Sequence, residues 1–416
     1  MARNRIIYQS EAIYVSQNVK STGSKGHEQL HRVQSANYSF NVARQDVNQF
    51  GQLSRIDSII LEAPTASVDL TYLLADGFNE EALNFAKSAN LNSPTLGFIS
   101  GQIEATTGVN FYILTAPEGE DINTKSTQTS NLTSIGIGNA FLTDYTLDAA
   151  VGDFPTVTCT FEASNMNSTS TVAFHTGVHG AATIGQQSGQ TGFTGVSGVG
   201  IDPEAGTVLS DFAAGGQAGT QVAQFGVVLP TGSDGNTNVM PTALRPSDII
   251  LSLSNADGKS IADIDGTDAA HIQSLSLSIP MSRTAIERIG TRFPFARVVD
   301  FPIVPTLSVS AVLNEAQTRA VSDVIDSDTF ISNADILFRD QSSVFSAGYR
   351  LTNLKLDSEA FTSSIGPNKT VDLTFSLSIG GPEDTSNNIF FSGKNAITPF
   401  GRAEFAKDVD HLNPAS

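Results

Sequence analysis

The sequence predicts a mainly β protein: two tandem β-sandwich or barrel-forming domains, each with one short flanking helix, plus a Gly/Thr-rich insertion. Three observations carry that expectation. Of the 416 residues, 40% are hydrophobic and only 16% charged, with 35 Gly and 16 Pro, the composition of short strands joined by polar loops. Apolar and polar residues alternate with period two along several segments. Four segments of the first part of the chain recur, in the same order, in the last part.

A strand at Glu11 to Gln17 and a polar loop, Asn18 to Leu30, open the first copy; Asp248 to Ser254 and Asn255 to Ala270 open the second in the same way. Val33 to Gly51 (VQSANYSFNVARQDVNQFG) then aligns without a gap to Ile272 to Gly290 (IQSLSLSIPMSRTAIERIG). Five of 19 positions are identical: Gln34/Gln273, Ser35/Ser274, Ser39/Ser278, Arg44/Arg283 and Gly51/Gly290. The faces agree as well. Ala36, Tyr38, Phe40 and Val42 form one apolar side, and Leu275, Leu277, Ile279 and Met281 form the other copy's. Downstream, Pro64-Thr65-Ala66-Ser67-Val68 recurs as Pro305-Thr306-Leu307-Ser308-Val309. Leu142-Thr143 with Leu147-Asp148 recurs as Leu351-Thr352 with Leu356-Asp357. Thr156 to Phe161 recurs as Thr370 to Phe375, with Val157, Cys159 and Phe161 inward in one copy and Val371, Leu373 and Phe375 in the other.

Each copy holds one helical candidate. Phe78, Ala82, Phe85 and Ala86 predict a helix over about 78–88, with Glu80 and Glu81 in its first turn. Ala316, Ala320 and Val321 predict a second over about 314–323. The domains are accordingly placed at 1–166 and 244–396. Residues 167–243, rich in Gly, Thr and Ser, are too long for a linker and read as an inserted module or surface arm with a strand at Val222 to Leu229. Residues 397–416 read as a polar tail.

Several functions are excluded by composition. One Cys permits neither a disulfide framework nor a Cys-based metal cluster, no apolar run reaches the ~18 residues of a membrane helix, and Met1 to Tyr14 lacks the apolar stretch of a secretory signal. The net charge of −19 argues against tight binding of nucleic acid. Between Lys125 and Arg245 there is no Lys or Arg, but there are eight carboxylates: Asp144, Asp148, Asp153, Glu162, Asp202, Glu204, Asp211 and Asp234. Such a stretch reads either as weakly charged, soluble β structure or as a surface that repels a polyanion.

No motif of chemistry stands out, and neither catalysis, a metal nor a cofactor is expected. The i,i+4 pairs His27/His31 and His175/His179 suit zinc only on a helix, and neither lies in a helical pattern. Asp263-x-Asp265-Gly266-x-Asp268 lacks the bidentate Glu of a calcium loop. The glycines from Gly185 to Gly200 have no Lys and no following helix to hold a phosphate. Cys159 lies on an apolar strand face, as a core thiol does. The repeated Gln34, Arg44, Gly51, Gln273, Arg283 and Gly290 are the candidate structural or inter-subunit contacts. For the two arginines the alternatives are an ion pair or subunit contact and an exposed, unpaired side chain.

Arg3-Asn4-Arg5-Ile6-Ile7-Tyr8-Gln9-Ser10-Glu11-Ala12-Ile13-Tyr14-Val15, the strand from Val33-Gln34-Ser35 to Arg44-Gln45-Asp46, and Phe50-Gly51 resemble the tail tube proteins of long-tailed bacteriophages. The resemblance covers most of the first copy and, less fully, the second; residues 167–243 have no counterpart in the minimal family domain. It implies a β-sandwich with one helix whose inner sheet joins its neighbours' around a channel. It further implies rings that stack into a tube for the passage of DNA. Minimal members use six single-domain subunits per ring, so a chain with two copies implies a trimer of pseudo-sixfold symmetry. The implied partners are further copies of the chain, other tail proteins (sheath, baseplate or tip, terminator) and DNA that passes without tight binding. The implied location is the virion, after assembly in the host cytoplasm. A channel wall poor in Lys and Arg would let the polyanion slide. Two rivals are weighed against this. A decoration or receptor-binding fibre protein would also be a virion β protein; a carbohydrate-binding β protein is disfavoured by the absence of Trp.

Overall fold

A computed structural model describes residues 11–17, 28–61, 64–75, 77–88, 96–105, 108–115, 132–163, 165–172, 200–201, 208–209, 244, 249–255, 270–287, 289, 294, 296–313, 332–339, 345–362 and 369–393. The fold is mainly β, as expected. The first half contains β1 (Glu11–Gln17), β2 (Glu28–Gln29), β3 (Val33–Asn41), β4 (Arg44–Val47), β5 (Asp57–Ile60) and β6 (Thr65–Leu73). Two short helices follow, α1 (Phe78–Ala82) and α2 (Ser100–Ile103), then β7 (Val109–Thr115), β8 (Leu132–Ala150), β9 (Thr156–Ala163) and β10 (Asn165–Val172). The short β11 (Gly200–Ile201) and β12 (Val208–Leu209) pair with each other. The second half contains β13 (Ile249–Asn255), β14 (Ala270–Pro280), β15 (Arg283–Ile286), β16 (Ala296–Val299), β17 (Thr306–Leu313), β18 (Ser332–Arg339), β19 (Phe345–Thr362), β20 (Thr370–Ser376) and β21 (Ile389–Gly393). β10 crosses the boundary placed at 166/167 and pairs with β8, so it is part of the first half's sheet. The strand expected at 222–229, the helix expected at 314–323 and the tail 397–416 lie outside the described residues.

The two halves share one pattern of antiparallel ladders. In the first, β1 pairs β7, β7 pairs β8, β8 pairs β9 and β10, β9 pairs β6, and β6 pairs β3. In the second, β13, β18, β19, β20, β21, β17 and β14 repeat these pairings one for one. The hairpins β4–β5 and β15–β16 correspond too, with Arg44 opposite Ile60 and Arg283 opposite Val299. Even the irregularities recur. The register shifts between Val33 and Ser35 in β3 and between Ile272 and Ser274 in β14. It shifts again between Leu142 and Asp144 in β8 and between Leu356 and Ser358 in β19.

These ladders correct two of the alignments read from the sequence. Leu142, opposite Phe161, corresponds to Leu356, opposite Phe375, and not to Leu351. Ser67, opposite Ser39, corresponds to Thr306, opposite Ser278, so the Pro64 and Pro305 segments are two residues out of step. Alternation survives a two-residue slip with every side chain on its proper face, so the pattern alone could not see the error.

Two layers form because β8 and β19 are long enough to run through both. Residues 133–140 of β8 pair with β7, and its later residues with β9. At the crossing point Asn139 takes a φ of 57°, and Asn353 of β19 takes 60° at the corresponding place. Asn tolerates this left-handed conformation better than other side chains with a Cβ. The Asn139 amide donates to the Asn110 side-chain oxygen (2.9 Å), and the Asn353 amide donates likewise to Asn333 (3.2 Å). The layers close on a core in which Phe111 of one meets Phe161 of the other, edge to face, at 4.9 Å. Alternation is regular where it is most buried: Val68, Leu70 and Tyr72 in β6 and Val157, Cys159 and Phe161 in β9 are fully covered.

The predicted helix over 78–88 is shorter than its pattern. It ends at Ala82, and Asn84 turns to a φ of 73°. The Asn84 side chain donates to the Gly101 carbonyl (2.8 Å) and Gln102 donates to that of Leu83 (2.5 Å), so α2 satisfies the end of α1. Phe85 thereby leaves the helix and stacks on Phe98 at 4.4 Å. Among the described residues no helix is long and apolar enough to cross a membrane.

Candidate functional surface: a polar sheet face between two open edges

The halves join through backbone pairing. β14 lies on the free side of the end of β8: Ser276 is opposite Asp148, Leu277 opposite Leu147, Ser278 opposite Thr146, Ile279 opposite Tyr145, and Pro280 opposite Asp144. The result is a continuous run β3-β6-β9-β8-β14-β17-β20-β19. One face is core. Leu147, Tyr145, Leu277 and Ile279 are fully buried at the joint. Below them the Tyr145 and Tyr349 hydroxyls share a 2.7 Å hydrogen bond across the two halves, and desolvation holds both phenols well above their usual pKa. Phe98 reaches the same cluster, 5.2 Å from Tyr145 and 5.3 Å from Phe391, and its amide donates to the Ile389 carbonyl (2.6 Å). Gly77 lies against the Phe391 ring of this cluster. Its φ is 78°, and a Cβ there would lie 2.5 Å from the Phe391 ring.

The other face is polar and acidic. Alternation puts Ser67, Asp69 and Thr71 on it from β6, Ser274, Ser276 and Ser278 from β14, and Thr370, Asp372 and Thr374 from β20. Two of its carboxylates are held by serine hydroxyls: Ser276 donates to Asp148 and Ser310 to Asp372, both at 2.6 Å. Among the described strand residues of this face the carboxylates are Asp69, Asp144, Asp148, Glu162 and Asp372, and Lys355 is the lone lysine. A hollow over the joint is lined by Asp148, Asp153, Asp372, Ser276 and Ser310.

Among the described residues the two ends of this run have no further strand beside them: β3 pairs only with β6, and residues 355–362 of β19 only with β20. Apolar groups lie exposed there: Phe40 is 64% and Phe361 41% accessible, whereas the corresponding Ile279 and Leu147 are at 0%. Sequence reading identified the faces but missed these edges, because an edge is defined by which strand is absent beside it.

The repeated polar residues have distinct placements. Arg283 crosses from the second half to the first, where its guanidinium donates to the Gln102 carbonyl (2.6 Å) and the Leu142 carbonyl (3.4 Å) and sits 5.0 Å over the Phe141 ring. Burial, aided by the Arg297 charge, lowers its pKa to about 10. Arg297 makes a 2.6 Å ion pair with Glu162, again between halves. Arg44, the counterpart of Arg283 on β4, is exposed. Gln34 is exposed and donates to the Arg32 carbonyl (3.1 Å), and the Gln273 carbonyl accepts from Val151 (2.9 Å). Gly51 turns the β4–β5 hairpin with a φ of 89°; Gly290 lies outside the described residues. That hairpin exposes Phe50 and Leu53 completely.

Of the other candidates, Cys159 is a buried thiol pushed up in pKa by desolvation. His31 is buried and stacked on Phe78 at 4.2 Å, and desolvation, followed by the Arg32 charge, lowers its pKa to about 4. His27, His175, His179, Asp263, Asp265 and Asp268 lie outside the described residues. Among the described residues no group of three or more His, Cys, Asp or Glu side chains could hold a metal ion.

No protein-family model matches the chain, and no curated protein matches it in sequence. A cryo-EM structure of the anti-feeding prophage cap (AFP tube terminating cap) is similar over 37% of this chain and 94% of that one, at 8% identity and a TM-score of 0.26.

Proposed function

We propose that this chain is a structural, non-catalytic subunit of a bacteriophage tail tube, built by tandem duplication of one tube domain. Its rings, in this reading, are trimers with pseudo-sixfold symmetry, and the acidic, hydroxyl-rich sheet face lines the channel for DNA. The observation that carries the reading is the β8–β14 joint. There two corresponding units continue one sheet, and among the described residues the complementary pair of strands at the sheet's ends has no further strand beside it. A repeat of the same step in further copies curves the sheet round until it closes, which removes every open edge. The polar face supports the role assigned to it: with Glu162 neutralised by Arg297, Asp69, Asp144, Asp148 and Asp372 remain against Lys355, an excess that would keep a polyanion from adhering. The sequence resemblance to tail tube proteins points the same way. Other tail proteins are then its partners and the virion its location.

Electron microscopy of the purified chain tests this. The expected result is rings or tubes with a central hole, three chains to a ring. A protein that stays monomeric at every concentration and salt condition is no tube subunit. Immunogold labelling along the whole tail, rather than at its tip, separates a tube from a fibre.

A further inference from the structure

We infer that His31 and α1 form an acid-operated clasp, in which a proton on the His31 ring releases α1 and loosens the grip of the first half on β21 of the second. The clasp is a property of the single chain and stands apart from the tube reading.

Backbone and ring both build it. The Asn79 side chain holds the His31 backbone at two points: its oxygen accepts from the His31 amide and its nitrogen donates to the His31 carbonyl, both at 2.8 Å. The imidazole lies flat on the Phe78 ring, with 4.2 Å between centroids and 8° between planes. His31 is 3% exposed, and among the described residues neither of its ring nitrogens has a hydrogen-bond partner. A neutral imidazole already leaves one N–H unpaired in such a place. A protonated one adds a second donor and a full charge, with no acceptor for either. Arg32, the next residue, holds a φ of 54°, a left-handed conformation unfavourable for a side chain with a Cβ, so release of this segment also relieves backbone strain.

The neighbouring titratable groups do not offset that charge. Around the ring, β1 carries Glu11 and Tyr14, α1 carries Glu80 and Glu81, β6 carries Asp69 and Tyr72, and Arg32 stands beside it. The Tyr14 hydroxyl donates to Gln29 (3.1 Å), that of Tyr72 to Glu80 (2.9 Å), and Lys87 donates to Glu81 (2.5 Å). Glu11 acts on Tyr38, and Asp69 belongs to the polar face of β6. Burial of the ring opposes the proton most, and the Arg32 charge adds to it, which agrees with the pKa of about 4.

α1 transmits the release. The Phe85 amide donates to the Glu80 carbonyl (2.9 Å), and the Phe85 ring stacks on Phe98. From there the Ser88 and Phe98 amides donate to the Phe391 and Ile389 carbonyls of β21, at 2.8 and 2.6 Å. Residues 85–88 and 96–98 thus form a strap from α1 onto the second half. The second half has no such clasp in return, because Ala270 stands where His31 stands.

Hydrogen exchange of the full chain, read by mass spectrometry at pH 7.5 and pH 5 and corrected for the intrinsic pH dependence of amide exchange, tests this. If the opened His31 titrates at 6.5 and the closed one at about 4, opening should be roughly 25-fold more favourable at pH 5 than at pH 7.5. Peptides over α1 and the strap should exchange faster by about that factor, while β17 and β20 stay unchanged. His31→Phe, which keeps the stack, should abolish the change, and His31→Gln serves the same end if the first variant does not fold. Asn79→Ala, which cuts both backbone bonds, should open the same peptides at pH 7.5. No acceleration in the parent, an equal acceleration in the variants of His31, or one spread evenly over every strand would each overturn the clasp.

Discussion

The β8–β14 joint and the two outer edges of the same sheet are made from corresponding strands, yet one is sealed and the other open. At the joint, Leu147, Leu277 and Ile279 meet in a dry layer, and Arg283 and Arg297 lock a hairpin over it. At the edges Phe40 is exposed, Phe361 is partly exposed with the Lys369 ammonium 5.0 Å over its ring, and the side chain standing where Tyr145 stands is Glu359. The same backbone geometry thus serves two ends. Where the neighbouring unit is covalently attached, the side chains maximise burial; at the outer edges they remain compatible with water. Chemistry has drifted accordingly: the Arg297–Glu162 ion pair corresponds to Ser58 and Ser376 on the other side.

The largest expected effect separates these two places. Leu277→Asp puts an unpaired carboxylate in a fully buried layer, at a cost above about 4 kcal/mol, and should leave the chain insoluble. Phe40→Asp, two strand positions along on the open counterpart, should keep thermal stability within about 0.5 kcal/mol of the parent. Equal losses in the two would mean that β3 is not an open edge.

Acid should expose a second asymmetry, between halves. The His31 pKa falls from an ordinary 6.5 to about 4, and Ala270, the first residue of β14, occupies the corresponding place in the second half. The unfolded chain binds a proton that the folded chain refuses between those values. The stability from a neutral His31 is therefore complete above pH 6.5 and is lost as pH falls toward 4, by about 3 kcal/mol in all. His31→Phe, which preserves the stack on Phe78, should flatten that part of the acid limb in urea titrations. An unchanged limb would place the sensitivity elsewhere.

Two glycines at positive φ refine the contrast. Gly77→Ala meets both backbone strain and the Phe391 ring, and should lower stability by about 2 kcal/mol. Gly51→Ala meets open space and should cost about 1 kcal/mol from the backbone alone. Calorimetry that ranks them in the opposite order would break the picture of a tight seam and a free hairpin.

The smallest change in stability is expected on the polar face. Asp69→Lys, Asp148→Lys and Asp372→Lys together should alter unfolding by about 1 kcal/mol at most, since all three are on the surface side of the sheet. Assembled particles of this variant should retard duplex DNA at low salt and release it as salt rises. Failure to bind at any salt would remove this face from the channel.

How much of this was legible is clearest in particular strands. β6, β9, β17 and β20 alternate because one side is buried and one is wet, and the sequence shows that directly. β8 and β19 were misaligned, since each passes through two layers and an Asn kink and a bulge interrupt its period. Asn110 with Asn139, and Asn333 with Asn353, are the repeated pair that would have anchored them. The polar face could be read from Ser and Thr spacing, but its ends could not: an edge depends on partners distant in sequence.

The covalent link across β8–β14 also has a kinetic meaning. In the proposed ring of three, half of the six joints are already made when each chain folds, held together at an effective concentration far above that of any free subunit. Nucleation then needs three bodies to meet rather than six, and a ring that loses a contact must lose a whole pair of units. Connectivity also fixes equal numbers of first and second halves in such a ring before any side chain has to discriminate.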